Sequence, residues 1–146
     1  MIDRRDLDGR LSAALLALRL GVFVVMLMWT LDKFVAPAHA ARVFAGFYGI
    51  SWLDATASSV VGAAELVLIL AFVAGIQKRL TYGLVFVLHS ISTLSSYRQY
   101  LDPFDNLLFF AAWPMLAACI ILFLLREHDR LLAVHGAAAR RDKAVD

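Results

Sequence analysis

Four long apolar stretches, residues 11–31, 57–75, 80–96 and 107–125, decide what this chain can become. They hold 21, 19, 17 and 19 residues, and about 20 helical residues cross roughly 30 Å of hydrocarbon. Hydrophobic residues make up 62% of the 146 and charged residues 18%, against about 45–50% and about 25% in a soluble domain. One water-soluble core cannot absorb that surplus, because a domain this small buries only about two-thirds of the surface its chain exposes. The expected fold is all-α: a single transmembrane domain over 1–146, built as a four-helix bundle in membrane lipid. One cysteine, Cys119, excludes a disulfide-stapled fold and intramolecular dithiol chemistry.

Basic residues set the expected orientation. Arg4, Arg5, Arg10, Lys78, Arg79, Arg126, Arg130, Arg140, Arg141 and Lys143 fall on one side, and Lys33, Arg42 and Arg98 on the other. Both termini are therefore expected in the cytoplasm, with the first and third loops outside. The basic tail is no nucleic-acid site, since Glu127, Asp129, Asp142 and Asp146 interrupt it; it reads as a topology signal and a solvated helix end. The first apolar run exceeds the roughly 7–15 residues of a signal-peptide core and contains Arg19, so it is expected to be a permanent helix.

The first loop, residues 32–56, is long, apolar and aromatic. Such a segment is too short to span and too greasy for water. It is expected to lie in the outer interface or fold back as a lid, with Phe44, Phe47, Tyr48 and Trp52 available to dock a partner. Asp102-Pro103-Phe104-Asp105-Asn106 reads as a turn whose Asp105 or Asn106 caps the fourth helix. Gly75 suits a helix C-cap, and Pro114 is expected to kink the fourth helix. Ala13, Ala17 and Gly21, and separately Ser59, Gly62 and Ala63, form small faces that permit close helix approach.

Within the four stretches only Arg19 and Glu65 are formally charged, and His89 can become so. Counted from the cytoplasmic ends at 1.5 Å per residue, they lie about 12, 15 and 14 Å deep. Each charge at that depth costs at least about 2.5–3.5 kcal/mol, so it must be paired or put to use. One reading is a buried Arg19–Glu65 ion pair that fixes helix order, with His89 hydrogen-bonded alongside. The other is a site for quinone: Arg19, Glu65 and His89 would bind its oxygens, and Glu65 and His89 would act catalytically by carrying protons. Asp32, Lys33, Arg98, Asp102 and Asp105 gather at the external mouth, either as interfacial anchors or as an entry or docking edge. Neither a metal-ligand cluster nor a haem-ligand pair is evident, and His39, His128 and His135 read as solvated.

Leu18-Arg19-Leu20-Gly21, with Trp29-Thr30-Leu31-Asp32-Lys33-Phe34 closing the helix, resembles the opening of DoxX-like membrane proteins. Gly62-Ala63-Ala64-Glu65-Leu66-Val67, followed by Ala74-Gly75 and a basic turn, is similar to their second signature, and the resemblance covers roughly residues 15–125. It implies a four-helix protein of the bacterial inner membrane associated with redox chemistry. Such relatives include the membrane subunit of thiosulfate:quinone oxidoreductase and proteins tied to oxidative stress or to maturation of periplasmic enzymes. Arg19 and Glu65 match the intramembrane charges of that family and Lys33 its post-helix basic residue; His89, Arg98 and Asp102 acquire no role from it. Two functions are expected on this basis. The first is a redox subunit interacting with quinone and a partner oxidoreductase. The alternative is a non-enzymatic anchor or assembly subunit that docks a partner protein, or a second copy of itself, through the external loop.

Overall fold

The first apolar stretch forms a helix, α1 (Arg4–Val35), that overshoots it at both ends. Its 32 residues reach about 48 Å, well beyond the hydrocarbon thickness. The surplus lies largely in a polar first turn, where Arg10 pairs with Asp6 at 3.0 Å on an exposed surface. The computed structural model describes residues 4–134, the side chain of Arg5 excepted; His135, Arg140, Arg141 and Lys143 lie outside the described residues.

Half of the aromatic first loop is itself a helix, α2 (Pro37–Tyr48). Pro37 sits in its first turn, where the missing N–H costs nothing. Gly49, at φ +69°, ends it in the left-handed conformation. Next comes α3 (Ala55–Val73), whose first turn is capped by the Asp54 carboxylate accepting from the Ala57 N–H at 2.8 Å. Beyond α3, Gly75 at φ +68° lets Ile76 N–H reach back to the Ala71 carbonyl at 2.9 Å, the expected C-terminal glycine turn. The chain continues through α4 (Lys78–Ser95), the short α5 (Tyr97–Leu101), a 3-10 turn (Leu107–Ala111) and α6 (Ala112–Leu124). No strand occurs among the described residues.

The long helices pack on one another in a closed circuit: α1 on α3 and α6, and α4 on the same two. The shorter α2 lies against α1, α3 and α4. Leu15, Val22 and Met26 of α1 meet Ile69 and Phe72, Tyr82 and Val85, and Cys119 and Leu122 in a common core. Outward faces are apolar too: Val24, Val67, Val87 and Leu124 are all exposed. A helix that is hydrophobic all round belongs in a large core or in lipid. Three helical segments, Asp6–Val35, Ala55–Val73 and Leu107–Leu124, are long and apolar enough to cross a membrane.

Three local expectations change. Pro114 falls in the first turn of α6, where no backbone donor is lost, so the kink is replaced by a helix start. Asn106 caps nothing with its side chain, which instead donates to the Asp102 carbonyl at 2.9 Å. Ala13, Ala17 and Gly21 point away from the core, and nothing lies within 4 Å of where a Gly21 Cβ would stand. Gly62 does provide the close approach: a Cβ there would lie 3.0 Å from the Phe34 ring and 3.1 Å from Lys33 Cβ.

After Leu124 the chain returns without helix, and the Val134 N–H donates to the Ala74 carbonyl at 2.8 Å. A Cβ on Gly75 would stand 2.8 Å from that of Ala133, whereas one on Gly49 would meet nothing. Alanine at either position carries the left-handed cost of about 1–2 kcal/mol. Thermal melts in detergent should therefore place Gly75→Ala below Gly49→Ala, the difference reporting the packing of the returning segment.

Candidate functional site

Helical spacing brings Leu15, Arg19, Val22, Met26, Thr30 and Lys33 to one buried face of α1. Both cations on that face must therefore find anions inside the molecule. They lie fourteen residues apart, so about 21 Å along the axis, and they find different ones.

Arg19 is fully buried and pairs with Asp129 of the returning segment, 3.1 Å between guanidinium and carboxylate. Tyr82 of α4 donates its hydroxyl to the same carboxylate oxygen at 2.7 Å and accepts from Arg19 at 3.2 Å. Arg19 also donates to the Leu131 carbonyl, and Lys78 to the Asp129 carbonyl. Lys78 opens α4 and lies outside the expected span. Burial draws its ammonium pKa below the ordinary lysine value, with Asp129 opposing and Arg19 reinforcing the shift.

Lys33 pairs with Glu65 at 2.6 Å, with side chains 10% and 14% exposed. Its ammonium also donates to the Trp29 carbonyl at 3.0 Å and lies 5.9 Å from the centre of the Phe44 ring. A narrow cleft of about 20 Å³, room for a single water, is lined by Trp29, Asp32, Lys33, Ala40, Val43 and Phe44. His39 at the start of α2 holds Asp32 at 2.7 Å and stacks on Trp29, tying α2 to the end of α1.

The expected single layer of Arg19, Glu65 and His89 is thus not formed. Depth counting assumed that all spans begin in one plane. In fact α3 is shifted along α1, because Gly62 abuts Phe34 and Lys33; Glu65, one turn on, reaches Lys33 instead of Arg19. His89 stands between the two levels, seven residues or about 10 Å beyond Tyr82 on α4. Its Nε2 lies 3.1 Å from the Ala112 carbonyl of α6, a helix-to-helix hydrogen bond remote from both ion pairs.

Of the residues expected at an external mouth, only Asp32 and Lys33 join a network. Arg98, Asp102 and Asp105 remain exposed, Arg98 donating to the hydroxyl of its neighbour Tyr97. Three of the four expected docking aromatics are turned to internal use: Phe47 stacks on Phe109 at 5.8 Å, and Phe44 meets Tyr48 at 5.4 Å. Trp52 alone stays open, 75% exposed. His39 is paired rather than merely solvated. Among the described residues no group of three or more His, Cys, Asp or Glu is placed to hold a metal ion. No protein-family model, curated protein or solved structure matches the chain.

Asp129, Tyr82 and Lys78 are the residues that sequence reasoning passed over. The available signal was the flanking Leu131-Leu132-Ala133-Val134, too apolar for a solvated tail. Removing one partner of a buried pair leaves an uncompensated charge and costs about 3–5 kcal/mol. Asp129→Ala and Arg19→Met should each destabilise on that scale in detergent unfolding experiments. The double variant should lose clearly less than the sum, the mark of direct coupling. Lys33→Met, at a more accessible pair, should lose less.

Proposed function

We propose that this chain is a four-helix integral protein of the bacterial inner membrane, with both termini cytoplasmic, serving as a non-enzymatic anchor or assembly subunit. Carrying this reading is the pairing of the two charges inside the expected spans: Arg19 is held by Asp129 and Glu65 by Lys33. Charges spent on each other in this way hold helices together. The fourth helix is α4, which runs between the Gly75 turn and the α5 end and is more polar than the other three. The basic residues at Arg4, Arg10, Lys78 and Arg126 supply the orientation. A partner protein would meet the outer end, where Trp52, Leu101 and Phe104 are 75%, 80% and 86% exposed. Such residues clustered on one end are what an interface core uses.

A second reading, a quinone-interacting redox subunit working with a partner oxidoreductase, is favoured by one arrangement. Lys33, which lines the cleft with Trp29 and Phe44, is paired with Glu65, so a hydrogen-bond donor and a carboxylate able to carry a proton lie side by side there. The cleft there must widen before a quinone head group enters, which movement of α2 would allow.

Native purification in mild detergent separates the two. Under the anchor reading, Trp52→Ala with Phe104→Ser loses a partner that wild type retains, while the melting temperature stays unchanged; retention of the partner removes the outer end from that role. Under the redox reading, a soluble quinone analogue quenches Trp29 fluorescence saturably, and Glu65→Gln or Lys33→Met weakens that at least tenfold. Equal quenching in all three chains excludes this site.

A further inference from the structure

We infer that Arg19, Tyr82 and Lys78 form an anion-binding site at the end of the helices where Gly75 turns, and that Asp129 is its built-in, displaceable occupant. Carboxylate and phosphate groups are the chemistry that the site selects.

The donors come from separate parts of the fold and converge. Arg19 and the Tyr82 hydroxyl both donate to one oxygen of Asp129, and Lys78 donates to the carbonyl of the same residue. One cation, Arg19, thus meets the carboxylate while a second, Lys78, reaches only the backbone carbonyl beside it, which leaves an ammonium that a phosphate oxygen could engage. Asp129 also fits incompletely. Its second oxygen, Oδ1, and the Arg19 Nε are both buried without a hydrogen-bond partner. A buried polar group left unpaired is destabilising, and an anion with more oxygens and free rotation could engage the guanidinium fork in two places.

The occupant is carried by a segment that can leave. Residues 125–134 form no helix, and Leu132 is held at φ +49°, a conformation that disfavours leucine. Besides the Arg19 and Tyr82 bonds to the Asp129 carboxylate, which an entering anion would replace, and the packing of Ala133 on Gly75, bonds to the segment run from the Ser12 hydroxyl to the His128 carbonyl, Arg19 to Leu131, Lys78 to Asp129 and Val134 to Ala74. Swinging it out from Leu125 breaks those and unwinds no turn of α6. A polar cleft of about 160 Å³ lies against the segment, lined by Asp8, Leu11, Ser12, His128 and Arg130.

Trypsin cleavage of the Arg130–Leu131 bond in the full-length protein reports departure of the segment, because a protease needs that stretch extended. Inorganic phosphate, compared with chloride at matched ionic strength, should speed this cleavage several-fold, relative to a free peptide carrying the same bond. Reconstitution in phosphatidylglycerol rather than phosphatidylcholine vesicles, without free phosphate, distinguishes a lipid head group as the source: acceleration there assigns the site to lipid, acceleration by free phosphate alone to a soluble ligand. In Asp129→Ala, phosphate or acetate should saturably restore at least half of the lost melting temperature, and adding Arg19→Gln should abolish the rescue. A bond that is indifferent to, or protected by, every anion overturns the proposal, whether or not the variant folds. A folded Asp129→Ala that neither anion stabilises overturns it equally.

Discussion

Burial of the Arg19 guanidinium is the constraint on which the rest of the structure depends. An arginine cannot shed its proton, so enclosing it among Leu15, Val22 and Phe72 demands an anion within reach. That anion, Asp129, lies 110 residues further along the chain. To deliver it, the segment after α6 must turn back under the helices instead of running into solvent. The turn in its path must then yield space, and Gly75, lacking a Cβ, gives it to Ala133 and to Arg19 itself. Tyr82 and Lys78 complete the enclosure from α4, so one charge on α1 dictates contacts with three other parts of the fold.

A second pair does the same work at the opposite end. Lys33 holds Glu65, and through it α1 holds α3; the tight seat of Gly62 on Phe34 lies one turn away. Hydrophobic burial scarcely distinguishes one helix partner from another when lipid is as apolar as the core. Polar pairs and close backbone contacts then decide which helices neighbour each other and at what axial offset. With its two cations on one stripe, α1 is located at both levels, which pins its rotation as well as its height.

Much of this was legible in the sequence. Apolar runs of spanning length gave the long helices, and the residues flagged as buried charges are indeed the ones around which the interior is organised. Gly75 was readable as a helix stop because the left-handed turn favours glycine. Illegible was the axial offset between helices, because periodicity assigns a residue to a face but leaves the height of one helix against another to packing. Glu65 and Arg19 therefore looked level on paper, yet sit with different partners. The same limit hid Asp129: charge counting placed it in a solvated tail, and only three-dimensional closure reveals that an apolar segment after α6 carries it inward. Aromatic density in the first loop did not disclose that Phe44 and Tyr48 would meet each other, or that Phe47 would stack on Phe109.

The division into two levels changes what each charge can do. Arg19 and Asp129 are fully enclosed against each other, so at this level the two charges hold the returning segment to α1. Lys33 and Glu65, at the other level, are less completely enclosed and tie α1 to α3. His89 binds a backbone carbonyl between the levels and ties α4 to α6 without touching either pair.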